Sequence, residues 1–302
     1  MPTNLKLMAI RHPDDRQSLG ILYGNEVLDV RAASSALQLP APESMEQLLL
    51  ESRSHELETL LKCAQTSPLR SQFFKKVEEL EHGQLFTHPG KIIGIGLNYK
   101  AHAAETKAVP PSVPILFSKY SNALAGHKCV ITLPPGSVSY KFDYETELLI
   151  VIGKRAFNVS EAQALSHVAG YCTAQDFSAR DLQTELPGGQ WLAGKTLDNF
   201  APIGPYFVSA DLVGDPSNLQ IKTWVNGELR QSSNTGDMIF SPAQIIAYVS
   251  RLWPLEPGDL IFTGTPQGVI LGLPPDKRVW LKPGDIIVSS VEKLGELHIR
   301  LA

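Results

Sequence analysis

Three carboxylates fall at alternate positions in residues 142–153, FDYETELLIVIG, where Asp143, Glu145 and Glu147 lead a strongly β-prone run. Alternate residues of a strand share a face, so the three acids would crowd together. Like charges placed this way weaken a strand unless a cation sits among them, and oxygen-only ligands favour a hard ion such as Mg²⁺, Mn²⁺ or Ca²⁺. A solvated strand end is the alternative reading of the same spacing. A further acid, Asp176, ends the apolar stretch 168–175. Just beyond it, Ser178 and Asp181 have the spacing of a capping box, and a helix from there would carry Arg180 and Gln183 on one face. An arginine and an amide beside a metal suit a substrate carboxylate. Taken alone, the segment would equally describe a capped helix with a surface ion pair.

His102 and Glu105 stand three residues apart in NYKAHAAE, the spacing that brings a carboxylate to an imidazole on one helical face. There the acid can orient the ring for proton transfer, although an isolated pair of this kind is commonly a surface contact. The preceding Gly94 and Gly96 do not make a dinucleotide fingerprint: GxGxxN lacks the third glycine, and no βαβ unit with a downstream acid follows. Two loop-like segments could contact substrate. Lys195 could stabilise an enolate or merely balance nearby acids, and the Gly264-Thr265 turn could offer an N–H and a hydroxyl to an anion or merely end a strand. GxSxG, HExxH and P-loop patterns are absent, which argues against serine hydrolase, zinc protease and nucleotide chemistry.

The elements that would position these groups divide at about residue 88. Residues 5–32 hold three short apolar runs separated by turn-rich stretches, the pattern of a small β-meander. Ser44 with Gln47 opens a helical stretch, and Leu57, Leu60 and Leu61 recur at helical spacing before Pro68, so two or three helices are expected, ending near His82. From residue 89 onward, short β-branched runs alternate with turns, including the hairpin dipeptide Asn226-Gly227 and two Pro-Gly-Asp turns, at 257–259 and 283–285. The expected division is a small N-terminal α+β domain, 1–88, and a catalytic sheet domain, 89–302.

The 302 residues are 43% hydrophobic and 19% charged, enough for a globular interior, and a net charge of -4 gives no basic field for nucleic acid. Cys63, Cys129 and Cys172 lack CxxC spacing and read as reduced, buried thiols. The N-terminal residues lack the apolar core of a signal peptide, and no run is long enough to span a membrane. A cytoplasmic location is the expectation.

In this order, NYKAHAAE, DYETELLIVIGK, AQDFSARDLQ, GKTLDNFAPIGP, VNGELRQ, DMIF, LEPGDLIFTGTPQGV and LKPGD resemble the fumarylacetoacetate hydrolase family across residues 91–302. The likeness is to its shorter, acylpyruvase-like branch. It implies an α+β fold, a mixed β-roll with a small N-terminal domain, in a homodimer. It also implies Mg²⁺ or Mn²⁺ (Ca²⁺ in a crystal) on Glu145, Glu147 and Asp176, with Asp143 a neighbour. It makes His102 and Glu105 a catalytic dyad on a mobile segment that orders over substrate, with Lys195, Arg180, Gln183 and Thr265 around the ligand. Two departures stand out. The further aspartate ligand of the fumarylacetoacetate hydrolases proper is replaced by the apolar Ile93-Gly94-Ile95, and Lys119-Tyr120 stands where many relatives have Lys-Pro.

The resulting expectation is a metal-dependent hydrolase that breaks a carbon–carbon bond in acylpyruvate-type 2-oxo acids. Oxaloacetate decarboxylation and hydroxymuconate isomerisation or decarboxylation need the same electron sink and stay open as alternatives. A catalytically silent metal- or metabolite-binding protein is the competing class.

Overall fold

The computed structural model describes residues 4–302. The first three residues of the stretch read above for a leader lie outside it. The apolar runs near the N-terminus form the antiparallel meander Lys6–Arg11, Gln17–Tyr23 and Glu26–Asp29. Asn226 and Gly227, both at positive φ, turn Gln220–Val225 back onto Glu228–Asn234, as a type I′ hairpin requires.

Both Pro-Gly-Asp turns share one device. The Asp259 side chain accepts from the Glu256 N–H at 2.7 Å, and Asp285 accepts from that of Lys282 at 2.9 Å. Gly258 and Gly284 hold the positive φ, and each turn launches a strand, Leu260–Phe262 and Ile286–Val291.

The N-terminal helices are Val30–Leu37, Met45–Leu50, Ser54–Thr66 and Arg70–Phe73, and they stop short of His82. The chain from Phe74 to Lys76 pairs with Glu26–Asp29 instead, and Glu81–His82 pairs with Lys6–Arg11. Open meander edges offered hydrogen bonds that helical periodicity does not register. Of the cysteines only Cys172 is buried; Cys63 is exposed on the outer side of its helix.

The principal sheet has eleven strands and runs through both parts of the chain. The meander joins it where Lys6–Arg11 pairs with Phe207–Ser209, after which come Val168–Gln175, Thr146–Ile152, Leu260–Phe262, Ile92–Gly96 and Ile115–Ser118. A second sheet of five strands has Glu228–Asn234 and Cys129–Ile131 at its edges. Parallel pairs, Leu260–Phe262 with Ile92–Gly96 and Gly295–Leu301 with Cys129–Ile131, make both sheets mixed. The architecture is α+β.

Thr146–Ile152 is the central strand, buried along its whole length. Leu149 and Val151 pack into the core shared with the N-terminal helices, while Leu148, Ile150 and Ile152 pack into the core beneath helix Pro242–Leu252. Burial on both faces explains the unbroken apolar run. At ~1.5–3 kcal/mol for each large apolar side chain, this strand anchors the sheet. Buried polar pairs join the two sheets at its start: Thr146 meets Thr223 at 2.5 Å, and the Gln175 amide donates to Ser289 at 2.9 Å. Among the described residues no helix is long and apolar enough to cross a membrane.

Candidate active site and metal centre

The acids gather through strand register. Thr146 pairs with Gln175 and Glu147 with Ala174 in the antiparallel ladder, so the next position along brings Asp176 opposite Glu145, and the Asp176 N–H donates to the Glu145 carbonyl at 2.9 Å. Ligand atoms of Glu145, Glu147 and Asp176 lie within 4.8 Å of one another, all three buried. Asp143 belongs to a separate short strand, Phe142–Asp143. Its carboxylate accepts from the backbone of Tyr144, Ile270 and Leu271 and from Arg180 Nε. It therefore supports the arginine and stays out of the trio.

Three buried cations thread this cluster. Lys195 Nζ donates to Glu145 and to Asp176, each at 2.7 Å, and Lys119 Nζ donates to the other oxygen of Asp176 and to the Lys195 carbonyl. Arg180 spans Asp143 at 2.9 Å, Glu145 at 2.6 Å and the Gln183 amide oxygen at 2.8 Å. Among the described residues Glu147 has no ion-pair partner within 4.0 Å; its Oε2 accepts from the Gly264 N–H at 2.7 Å.

The pKa values follow from these contacts. Burial raises the Glu145 carboxyl, yet Lys195 and Arg180 outweigh it and hold the group at about 2. Burial, then Asp176 and Glu145, push Glu147 well above the usual carboxylate range. Burial lowers Lys119. Lys195 and Arg180 are raised because their acidic neighbours overcome the same burial. Three converging carboxylates, with one forced upward by burial and by the other two, form an all-oxygen donor set that fits a hard divalent cation.

Helix Lys100–Glu105 lies over this floor, and its His102 Nδ1 sits 2.7 Å from Glu105 Oε1. Where Nδ1 is the donor to this carboxylate, the neutral ring keeps Nε2 as its acceptor. Glu105 Oε2 also accepts from the Gly268 N–H at 2.9 Å, fastening the helix to the loop beyond Thr265.

His102, Glu145, Arg180, Gln183, Lys195 and Thr265 line one cavity of about 230 Å³, whose apolar wall includes Phe117 and Trp191. Glu147 and Asp176 are buried next to it. The structure thus places the predicted site residues in or beside one cavity, Glu105 through its bond to His102. Two local expectations differ. Ser178 bonds back to the Asp176 carbonyl, and Asp181 accepts from Ser139 and Tyr140, so no capping box forms. Helix Arg180–Thr184 begins without a side-chain cap, held instead by its arginine. Lys195 ends the short helix Trp191–Lys195 and is not on a loop.

The Thr265 hydroxyl donates to the Thr146 carbonyl and accepts from Gln231 Nε2, both at 2.9 Å. Its hydrogen is committed inside the protein. Gln231 and Lys119 escaped sequence reasoning as site residues; both lie in recognisable segments, VNGELRQ and LFSKY, but nothing local says where they point. Asn98 was missed too. It is wholly buried and clamps Phe240 and Thr263, tying the segment before His102 to the end of strand Leu260–Phe262. Its one visible signal was a polar residue closing an apolar glycine-containing strand.

Residues 91–302 match the family described as Fumarylacetoacetate (FAA) hydrolase C-terminal. The chain is 37% identical over 286 residues to a Xenopus laevis protein named oxaloacetate tautomerase fahd2, mitochondrial, covering 94% of this chain and 85% of that one. A fumarylacetoacetate hydrolase structure from psychrophilic Exiguobacterium antarcticum superposes with a TM-score of 0.82 at 30% identity, covering 99% of each chain. A fumarylpyruvate hydrolase from Pseudomonas aeruginosa, solved with Mn²⁺ and pyruvate, gives a TM-score of 0.65 at 34% identity over 74% of this chain and 91% of its own. By this match over most of its length, and by its fold, the chain belongs to the fumarylacetoacetate hydrolase family.

Proposed function

We propose that the protein is a divalent-metal-dependent hydrolase that cleaves a carbon–carbon bond in acylpyruvate-type 2-oxo acids. The observation that carries this reading is the convergence of His102, Arg180, Gln183 and Lys195 on one cavity beside the acidic trio. Glu145, Glu147 and Asp176 would hold Mg²⁺ or Mn²⁺, which supplies Lewis-acid polarisation of the 2-oxo acid end. The named activities of relatives, a fumarylpyruvate hydrolase and an oxaloacetate tautomerase, support a small 2-oxo acid as substrate.

Arg180 uses three of its five N–H groups inside the protein, and the remaining two, with the Gln183 NH₂, suit the substrate carboxylate. With the Thr265 hydroxyl hydrogen engaged, its contribution to that carboxylate falls to the backbone N–H. His102 Nε2 takes a proton from water, whose oxygen adds to the distal carbonyl, while Glu105 holds the Nδ1 hydrogen. The bond between that carbon and the methylene then breaks, its electron pair passing to the pyruvate enolate, which is protonated to pyruvate. Lys195 gives two hydrogens to carboxylates and has a third for the developing enolate oxygen.

A second reading is favoured by the tautomerase name of the Xenopus laevis relative. In it, His102 moves a proton between carbon and oxygen of oxaloacetate and no water is consumed. Acetylpyruvate, fumarylpyruvate and oxaloacetate, each with Mn²⁺ or Mg²⁺, separate the outcomes. Pyruvate with a new carboxylic acid indicates hydrolysis, enol–keto interconversion indicates tautomerisation, and release of CO₂ indicates decarboxylation. No turnover of any of the three would sink the reading. A homodimeric assembly belongs to the same proposal and is tested by light scattering.

A further inference from the structure

Glu105 is held from two sides, by His102 Nδ1 at Oε1 and by the Gly268 N–H at Oε2. The third side of its slot is Gly272, in the short 3₁₀ turn Ile270–Gly272. A Cβ added at Gly272 would lie 2.5 Å from Glu105 Cδ, 2.7 Å from Oε2 and 2.8 Å from Oε1. These three are its nearest atoms, and all are closer than real Cβ contacts allow. The backbone at Gly272 is not left-handed, so glycine is not required there for its φ. Gly268 is different: its φ is +99° and an added Cβ would strike the Arg230 carbonyl at 2.2 Å. Glycine at 268 serves the backbone, and glycine at 272 serves the carboxylate.

We infer that Gly272 is a positioning residue whose missing side chain forms the slot that keeps the Glu105 carboxylate against His102. Any side chain at 272 displaces that carboxylate, the movable partner in the clash, and leaves the imidazole without its orienting group. The inference rests on the reading of His102 and Glu105 as a working pair, and it adds a residue that spacing in the sequence cannot pair with Glu105: the slot exists only where the 270–272 turn meets helix Lys100–Glu105.

The test is a double-mutant cycle of Gly272→Ala and Glu105→Ala, with turnover of acetylpyruvate and of oxaloacetate followed under saturating Mn²⁺. Gly272→Ala is expected to lower kcat on the order of 10²-fold, the scale of general acid–base assistance, with KM and Mn²⁺ affinity changed less than about 2-fold. In the Glu105→Ala background the same substitution should change kcat less than about 2-fold, because nothing is left to displace. A wild-type kcat in Gly272→Ala, or losses that multiply in the double variant, overturns the inference. Full activity of Glu105→Ala instead overturns the reading of the pair itself. Should Gly272→Ala fail to fold, a folded double variant would still locate the clash at Glu105, and failure of both would refute the slot.

Discussion

Asp143 has no free lone-pair direction in the structure, and this makes its conversion to asparagine a sharp test of how Arg180 is held. Oδ1 accepts from Tyr144 N–H at 2.9 Å and Ile270 N–H at 2.8 Å, while Oδ2 accepts from Arg180 Nε at 2.9 Å and Leu271 N–H at 3.0 Å. Asn keeps one acceptor oxygen and turns the other atom into a donor aimed at two donors. Each lost bond to a charged group is worth ~1.5–3 kcal/mol, so two give roughly 3–6 kcal/mol. That range agrees with the ~3–5 kcal/mol for breaking a buried ion pair. Arg180 retains Glu145 and Gln183, which places the expected loss near 4 kcal/mol, in the lower half of the ~3–6 range. At ~2.1 cal/mol/K per residue, 302 residues unfold with about 0.6 kcal/mol/K, and the Tm should drop by about 6 °C. Differential scanning calorimetry of Asp143→Asn against wild type measures it. A drop under about 1 °C would show that this carboxylate does not hold the guanidinium and the 270–271 backbone.

Further outcomes can be checked on the same protein. Gln231→Leu removes the amide that donates to Thr265 and to the Pro266 carbonyl and accepts from the Thr146 N–H, leaving buried groups unpaired at ~1–3 kcal/mol each. Its Tm should fall and its kcat/KM should drop by roughly 10-fold or more, given ~1.4 kcal/mol per decade; unchanged kinetics would refute coupling between the second sheet and the site. Chelator-stripped protein should lose turnover and recover it with Mn²⁺ or Mg²⁺, and metal at about 100 times its Kd should add ~2.7 kcal/mol of stability. A melting curve indifferent to both ions contradicts the metal centre. Burial, then Lys128, lowers His82 from 6.5 to about 4; burial, then His82 and His298, lowers His127 to about 3. The unfolded chain therefore binds protons there that the folded chain refuses, so stability falls as pH drops from 6.5 toward these values and levels off below about 3. The variant carrying His82→Gln and His127→Gln should lose that slope in pH-dependent urea melts.

Periodicity and turn chemistry are local, and the sequence carried them faithfully. The meander, the Asn226-Gly227 hairpin, the two Pro-Gly-Asp turns and the apolar strand following Glu147 could each be read within a dozen residues, because φ preferences and alternation are properties of neighbours. The helical reading up to His82 failed where strand pairing with the distant meander offered better partners than local propensity did.

The acids with which the reading began, Asp143, Glu145 and Glu147, were visible by spacing as a crowded group; spacing did not divide them, and the family resemblance alone implied which would hold the metal. Register across a strand pair set Asp176 opposite Glu145, and a bond from Arg180 withdrew Asp143 from the trio. Spacing alone brought His102 to Glu105, whereas placing that pair over the acids took a helix, a loop from the far end of the chain and a glycine at 272. Lys119, Gln231 and Asn98 became legible only in three dimensions, because each acts on residues 34 or more positions away. Residue type and neighbours determine which chemistry is available; long-range pairing decides which groups meet, since contact across a fold depends on register and burial that no local pattern encodes.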